Sequence, residues 1–290
     1  MNYNTIVLFN EGITLNLIYT CLFQQNVVHL TRTKTLANMK FVGIIPARYG
    51  SSRFEGKPLV DICGKPMVVR VYEQSMQALD EVYVATDDQR IYDVVCSHGG
   101  KAIMTSTHHR SGTDRCYEAY CLSGSDADVV INIQGDEPFI QPIQIETLKQ
   151  CFDTPSVQIA TLCRRVDENA DFESIFDANK VKVVYSEVTG EALYFSRSLI
   201  PYLRGVNHEQ WLKSFPYYIH IGMYAYHADV LADLTRLPQG RLEIAESLEQ
   251  LRWLEHGYRI KIGQTDVSTI GIDTPDDLAT AIAWWQNHHK

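Results

Sequence analysis

Cations and glycines are concentrated between residues 46 and 58, where the sequence reads PARYGSSRFEGKP. Arg48, Arg53 and Lys57 supply positive charge, and the two glycines allow backbone N–H groups to approach a ligand closely. A triphosphate needs several donors and positive charges at short range. The spacing is not that of a P-loop, because five residues separate the glycines and proline follows the lysine. The loop predicts phosphate binding of another kind, and a solvated basic turn is the alternative.

Acidic residues form two further candidate sites. Asp136 and Glu137 follow the apolar run at 128–133, and Asp273 precedes a second acidic pair in the segment IGIDTPDDL. A hard cation such as Mg²⁺ is bound by carboxylate oxygens together with substrate phosphates. Acids at the start of a helix interact favourably with its dipole. The pair after Asp273 therefore needs no metal, and Asp273 is the better ligand candidate. At the first site, ordinary acids of a surface turn are the alternative.

Three segments of the second half carry polar side chains that could take part in a binding site. Arg197 ends the segment ALYFSR, and a planar guanidinium is a natural bidentate partner for a carboxylate. His220 and Tyr224 belong to a predicted strand, on which residues two or four positions apart share one face.

A predicted helix over residues 242–255 contributes a second polar face. Glu246, Glu249 and Gln250 stand at i, i+3 and i+4, so a continuous helix would place them side by side. Such a face could present acceptors to sugar hydroxyl groups. A solvated charged face has the same spacing and is the alternative.

The elements that carry these residues alternate between strands and helices in the first half of the chain. The apolar run at 41–46 is typical of a buried parallel strand. Further strands are predicted at 81–86, 101–104, 128–133, 157–166, 181–185, 192–196, 217–226 and 258–263. Helices are predicted at 66–78, 88–97, 113–121 and 242–255, and from Thr274 onward. Because ligands of open α/β sheets bind at the carboxyl ends of strands, the basic loop and Asp136 are expected at one edge.

Composition narrows the function classes. The chain has 290 residues and a net charge of -9, which argues against broad nucleic-acid binding. Its seven cysteines are scattered without a CxxC pair, so we expect free thiols in a reducing compartment and no zinc site.

The first 38 residues differ from the rest. They contain no apolar run of the roughly 18 residues that a membrane span needs, and no basic segment precedes their apolar stretch. Met39 stands directly before Lys40 and the first predicted strand. We predict that residues 1–38 are a dispensable extension outside the fold, with a weak interfacial or targeting segment as the alternative.

Several of these strings together resemble the CMP-Kdo synthetase family, the cytidylyltransferases for 3-deoxy-manno-octulosonate (Kdo). The resemblance covers about residues 39–285 and rests on PAR-x-x-S-x-R-x-x-GKPL, SGTDR, IQGDEP, ALYFSR, H-x-G-x-Y, ESLEQLR and G-I-D-T-P-x-D-L. It implies a reaction in which CTP and Kdo give CMP-Kdo and pyrophosphate, for lipopolysaccharide biosynthesis. A cytidylyltransferase for another acidic sugar, such as sialic acid, and a non-catalytic nucleotide-binding protein of the same fold remain alternatives.

The resemblance also implies roles for individual residues. Those implied to bind the nucleotide are Ala47, Arg48, Ser51, Lys57, Arg110, Ser111 and Gln134. Those implied to bind the sugar are Arg53, Gln134, Arg197, His220, Tyr224, Glu246, Glu249 and Gln250. Catalysis is implied to depend on Arg48, Lys57 and Asp136. Mg²⁺ is the implied cofactor, held by Asp136 and Asp273, a pairing that spacing alone does not give.

The fold that the resemblance implies is α/β: a Rossmann-like nucleotidyltransferase with a mostly parallel sheet, helices on both faces and a smaller β-rich insertion. Residues 39–290 would form one domain. Within it, 39–150 would bind CTP, 151–265 would bind the sugar and form a dimer, and 266–290 would return to the main sheet. The family suggests a cytoplasmic homodimer with no nucleic-acid or membrane partner.

Overall fold

Nine strands and a set of surrounding helices make up the part of the chain that the computed structural model describes, residues 36–50, 54–268 and 271–288. The strands are β1 (Phe41–Ala47), β2 (Val82–Thr86), β3 (Ala102–Met104), β4 (Val129–Asn132), β5 (Ile159–Arg165), β6 (Lys182–Ser186), β7 (Glu191–Ser196), β8 (Tyr218–His227) and β9 (Ile260–Gln264). The α-helices are α1 (Met67–Ser75), α2 (Gln89–Ser97), α3 (Gly112–Ser123), α4 (Pro142–Gln150), α5 (Trp211–Ser214), α6 (Ala228–Leu234), α7 (Arg241–Glu246), α8 (Gln250–Glu255) and α9 (Pro275–His288). The predicted strands are all present, with boundaries shifted by a few residues.

All nine strands belong to one sheet, in the order β3-β2-β1-β4-β8-β5-β9-β7-β6. The pairings among β1, β2, β3 and β4 are parallel, as predicted for the first half. Beyond β4 the sheet is mixed, because β8 is antiparallel to both β4 and β5. The α/β class is therefore confirmed, but the prediction of a mostly parallel sheet does not extend to the second half.

A short connection explains part of this difference. Only residues 187–190 join β6 to β7, and these two strands pair antiparallel. Parallel neighbours require a crossover of a dozen or so residues, which this hairpin lacks. The apolar runs of the second half predicted strands correctly but carried no information on strand direction.

Helices cover both faces of the sheet, as the resemblance implied. The side chains of Ile45 and Ala47 point into a first core with helices α1, α2 and α4. Those of Val42 and Ile44 point into a second core with α3, α6 and α8. Burial on both faces accounts for the continuous apolar run of β1.

The predicted helix over residues 242–255 is wrong as a single element. It is divided into α7 and α8 by Ser247, whose backbone adopts the left-handed conformation with φ 52°. The carbonyl oxygens of Glu246 and Ser247 accept hydrogen bonds from the Arg197 guanidinium instead of continuing a helix. Glu246 therefore does not share a helix face with Glu249 and Gln250, and tertiary contacts override the local pattern.

The amino-terminal boundary is described in part. Residues 1–35 lie outside the described residues, so the predicted extension is not tested there. Leu36–Asn38 form a short 3-10 helix, and the partly buried side chain of Leu36 packs against the first core. Within the described ranges, no helix is long and apolar enough to cross a membrane.

Candidate active site

A cleft of about 480 Å³ opens where β1 and β4 end. Of the predicted site residues, it brings together Ala47, Arg48, Lys57, Gln134, Asp136 and Asp273. The predicted residues Ser51 and Arg53 lie outside the described part of the chain. The strands that carry this edge are buried, so the fold holds the bases of both loops rigidly.

The basic loop is closed at its base by Tyr49 and Gly56. The Gly56 N–H donates to the Tyr49 carbonyl oxygen at 2.9 Å, and Gly56 has φ 71°, a conformation that favours glycine. A Cβ at Gly56 would meet the Tyr49 ring at 3.2 Å. The guanidinium of Arg90 lies over the Tyr49 ring, 3.3 Å from the ring centroid. It donates two hydrogen bonds to the carboxylate of Asp88. These contacts attach the loop to the start of α2.

One ammonium group joins the two acidic sites. Lys57 Nζ lies 2.8 Å from Asp136 Oδ2 and 3.1 Å from Asp273 Oδ1. Burial alone would lower the pKa of Lys57, but the charges and hydrogen bonds of the two aspartates together raise it above its ordinary value. Lys57 is therefore a cation at neutral pH, and three groups distant in sequence form one cluster.

Backbone and aromatic contacts bring Asp273 to this cluster. The Ile272 N–H donates to the Asp136 carbonyl oxygen at 3.0 Å, so the next residue is held beside Asp136. The start of α9 is fixed by Asp277, which accepts hydrogen bonds from the N–H groups of Asp273 and Thr274. Phe139, just after the first acidic site, packs against the C-terminal part of α9.

The donor set fits a magnesium ion bound jointly with substrate. Carboxylate oxygens of Asp136 and Asp273 already converge on one cation, the Lys57 ammonium. Across the described ranges, no group of three or more His, Cys, Asp or Glu side chains could form an all-protein cage. Mg²⁺ is commonly held by one or two carboxylates plus phosphates and water, so two carboxylates beside a phosphate-binding loop suffice. At the neighbouring Glu137, burial and the charge of Asp136 raise the pKa to about 8.

The segment that contains Arg110 and Ser111, two of the predicted nucleotide-binding residues, caps α3. Ser111 Oγ accepts a hydrogen bond from the Asp114 N–H, which is the ordinary role of serine at a helix start. Arg110 is exposed. Arg115 is buried, and its guanidinium donates to Asp87 Oδ2 at 2.6 Å and to Thr105 Oγ1 at 2.6 Å. The start of α3 is thus tied to the carboxyl end of β2.

Two of the predicted sugar residues, Arg197 and Glu246, contact each other. The Arg197 guanidinium donates to three backbone carbonyl oxygens and lines a separate cavity of about 450 Å³ beside Tyr202 and Trp211. The Glu246 carboxylate accepts hydrogen bonds from Ser196 Oγ and from the Arg197 backbone N–H. Arg197 and Glu246 therefore hold the end of β7 to the break between α7 and α8.

The remaining predicted sugar residues lie nearer the second core. His220 and Tyr224 do share a face of β8, with ring centroids 5.3 Å apart. Burial lowers the pKa of His220 to about 3, so the ring is neutral, and its Nε2 is 2.9 Å from Thr161 Oγ1. Glu249 accepts hydrogen bonds from Thr113 and Arg252. Gln250 is buried.

Three polar residues of the site region escaped the sequence analysis. Asp87 directly follows β2, so the rule that selected the ends of β1 and β4 would also have selected it. Thr113 joins the α3 turn to Glu249, and Thr161 also donates toward the carbonyl oxygens of β8 near a bulge. The SGTDR string contains Thr113 and could have indicated it, whereas no sequence signal distinguishes Thr161 from an ordinary strand residue.

This fold and cleft are those of a nucleotide-binding transferase, and a family model described as cytidylyltransferase matches residues 42–262. The chain belongs to the cytidylyltransferase family. A protein of Parabacteroides distasonis named 3-deoxy-manno-octulosonate cytidylyltransferase is 59% identical over 86% of this chain and 99% of that protein. A protein of the same name from Phocaeicola vulgatus is 59% identical over 85% of this chain and 97% of its own length.

Two solved structures of cytidyl-transferring proteins also align with this chain. The structure of CMP:2-keto-3-deoxy-manno-octonic acid synthetase in complex with CTP aligns with a TM-score of 0.78 and 45% identity. The alignment covers 86% of this chain and 99% of that one. A cytidylyltransferase from Leptospira borgpetersenii aligns with a TM-score of 0.57 at 14% identity, which is a likeness of fold alone.

Proposed function

We propose that this protein is a 3-deoxy-manno-octulosonate cytidylyltransferase, which converts CTP and Kdo to CMP-Kdo and pyrophosphate. The observation that carries the proposal is the cleft in which the basic loop meets Asp136 and Asp273 around Lys57. Relatives with that name at 59% identity support the choice of both substrates.

The reaction forms one P–O bond and breaks another. The anomeric hydroxyl oxygen of Kdo attacks the α-phosphorus of CTP, pyrophosphate leaves with the bonding electrons, and the hydroxyl proton is released. The side chains of Arg48 and Lys57 line the cleft, where they would neutralise phosphate charge. Catalysis would come from positioning and charge, so no protein nucleophile is required.

Asp136 and Asp273 are the residues that would hold Mg²⁺. When bound with CTP, the ion would supply positive charge to the phosphate oxygens. The two aspartates belong to different loops, and both line the cleft.

Recognition of the acid sugar is proposed for the side beyond β8. Gln134 lines the cleft, and its Nε2 donates to the Gly222 carbonyl oxygen on β8, which connects the two sides. Arg197 retains N–H donors beyond the three that contact carbonyl oxygens, so a carboxylate could still be bound. In this role, Arg197→Lys would weaken use of Kdo more than binding of CTP.

The cellular context is proposed on the same basis. The product would supply lipopolysaccharide biosynthesis from the cytoplasm, and the protein would act as a homodimer without nucleic-acid or membrane partners. Light scattering on the purified chain measures the mass in solution, and a monomer at assay concentrations would exclude the dimer.

A pyrophosphate-release assay tests the proposed function. CTP is combined with Kdo, sialic acid or no sugar, and ATP and GTP replace CTP in parallel. We expect release only with CTP and Kdo. Faster turnover with sialic acid would assign another acidic sugar, equal turnover with ATP would exclude the CTP assignment, and CTP binding without any release would indicate a non-catalytic binding protein.

A further inference from the structure

The Lys57 ammonium occupies the position between the two aspartates proposed to bind metal. Its Nζ is within 3.1 Å of an oxygen from each, and the Lys57 side chain is only 14% exposed. An Mg²⁺ ion would need oxygens at about 2.1 Å. Asp136 and Asp273 would hold a metal ion in the space that the ammonium group fills, so the two cations would compete.

The backbone of Lys57 limits how this competition can be resolved. Lys57 follows Gly56, whose N–H is hydrogen-bonded to Tyr49, and begins the short 3-10 helix Lys57–Leu59, whose second residue is Pro58. The Val60 carbonyl oxygen, just after this segment, accepts a hydrogen bond from the Met67 N–H, so the segment is held at both ends. The ammonium can leave only by rotation of its flexible side chain, which carries a compact point charge on four methylene groups.

Phosphate groups give the displaced ammonium a new partner. The cleft that contains Lys57 also contains Arg48 and the loop glycine Gly50, so a triphosphate bound there would lie next to the lysine. Without nucleotide, rotation of Lys57 would exchange two charge-assisted hydrogen bonds for water. With nucleotide, those bonds are replaced by bonds to phosphate oxygens.

We propose that Lys57 is the resident cation of the metal site and that it yields this place only when a triphosphate binds. Metal affinity then depends on nucleotide, and metal and CTP bind cooperatively because such coupling is reciprocal. The proposal rests on the proposed function for the identity of the nucleotide, but the competition itself depends only on Lys57, Asp136 and Asp273.

Binding of Mn²⁺ without nucleotide tests the competition directly. The free-ion signal in electron paramagnetic resonance is titrated with the full chain, the Lys57→Met variant and the Arg48→Met variant. Methionine has similar length but no charge. Arg48 lines the same cleft without contacting either aspartate in the described structure, so its variant controls for general loss of positive charge.

We expect Lys57→Met to tighten Mn²⁺ binding at least tenfold, or about 1.4 kcal/mol, and Arg48→Met to have a much smaller effect. Unchanged or weaker binding in Lys57→Met would overturn the proposal, and so would equal tightening in Arg48→Met. A titration with CTP, corrected by a Mn²⁺–CTP blank, should tighten binding in the wild type more than in Lys57→Met. An equal effect in both proteins would also overturn it.

Thermal melts provide a second measurement should Lys57→Met be unstable. Lys57→Met removes the ammonium that contacts both Asp136 and Asp273, so Mg²⁺ alone should raise the Tm of Lys57→Met more than that of the wild type. Equal shifts would contradict the competition. Because these readouts need neither Kdo nor turnover, failure of the pyrophosphate assay would refute the proposed function and leave the lysine exchange standing.

Discussion

Asp136 and Asp273 carry the charge on which the proposed metal site depends. Asparagine at either position keeps the size and hydrogen bonding of the side chain but removes the charge that Mg²⁺ needs. We expect each single substitution to lower pyrophosphate release at least about a hundredfold. Turnover is measured over a Mg²⁺ titration, with thermal melts as the control for folding.

The double variant tests whether the two aspartates act as one unit. Groups that act together show strongly non-additive effects, so Asp136→Asn with Asp273→Asn should be little worse than the worse single variant. Near-normal activity of Asp273→Asn at low Mg²⁺ would limit Asp273 to the start of α9. The metal site would then depend on Asp136 and the substrates.

His220 makes stability depend on pH. Burial lowers its pKa from 6.5 to about 3, so between these values the unfolded chain binds a proton that the folded chain excludes. Stability therefore falls as the pH falls through this range, with a slope of at most about 1.4 kcal/mol per pH unit from this residue.

The His220→Gln variant should flatten this acid dependence. Glutamine keeps a polar group near Thr161 but does not titrate, so urea unfolding between pH 6.5 and 4 should show a smaller slope than in the wild type. Replacement of exposed His98 by glutamine is the matched control. An unchanged slope in His220→Gln would show that His220 binds a proton in the folded protein as readily as in the unfolded chain.

At the element scale, the stacked pair of Tyr49 and Arg90 holds the basic loop to α2. The guanidinium is held in place by Asp88 and lies 3.3 Å from the ring centroid. An exposed cation–π contact is weak, so Arg90→Met should raise the KM for CTP only about two- to fivefold. The KM for Kdo and kcat should change little.

Steady-state kinetics with each substrate varied in turn checks this expectation. Arg236→Met is a suitable control, because Arg236 is an exposed arginine just beyond the end of α6, and its guanidinium lies 3.9 Å from a carboxylate oxygen of Asp233. If Arg90→Met altered kcat and left the KM for CTP unchanged, the pair would not act through nucleotide binding.

Some features of the strands and helices could be predicted from the sequence, and others could not. The buried run of β1 and the alternation that follows predicted the parallel half correctly, because period and burial are local properties. The direction of β8 and the break at Ser247 depend on partners distant in the chain. Arg197 and Ser247 are 50 residues apart, yet their hydrogen bond helps to end α7.

The same limit applies to the site. The loop cations and Asp136 could be predicted from the sequence, but the contact between Asp273 and Lys57 could not, because it depends on the docking of α9.

Aromatic contacts dock α9 and so place Asp273. The Phe139 ring is buried and lies 4.9 Å from the Trp284 ring and 5.6 Å from the Trp285 ring, measured between centroids. Phe139→Ala should lower the free energy of unfolding by about 3 kcal/mol. It should also weaken Mn²⁺ binding in the presence of CTP, since Asp273 loses its support. Urea unfolding measures the change in stability, and the Mn²⁺ titration measures the change in metal binding. Undiminished Mn²⁺ binding in a destabilised variant would show that α9 does not position Asp273 for metal binding.

On the scale of the whole molecule, one sheet joins the two sides of the proposed reaction. The parallel half ends at the cleft with the basic loop and Asp136, and β8 lies directly beside β4. Gln134 crosses this seam to the Gly222 carbonyl oxygen. Substrates bound on either side would therefore be held by one continuous hydrogen-bonded framework, which suits a reaction that depends on positioning.

The last prediction concerns where the folded molecule begins. Phe41 is the first residue of the sheet, and the Lys40 N–H donates a hydrogen bond to the carboxylate of Asp128, in the loop before β4. Of the three residues at 36–38, Leu36 has a partly buried side chain against the first core. We expect a variant that begins at Met39 to fold and to retain the turnover of the full chain. A second variant that keeps residues 36–38 should be more stable than the first by about 1 kcal/mol or less, the contribution of a partly buried leucine.

Urea unfolding and pyrophosphate release of the two variants and the full chain provide the comparison. An insoluble or inactive Met39 variant would show that residues 1–38 belong to the working protein. If only the variant that keeps residues 36–38 were active, the folded molecule would begin at residue 36.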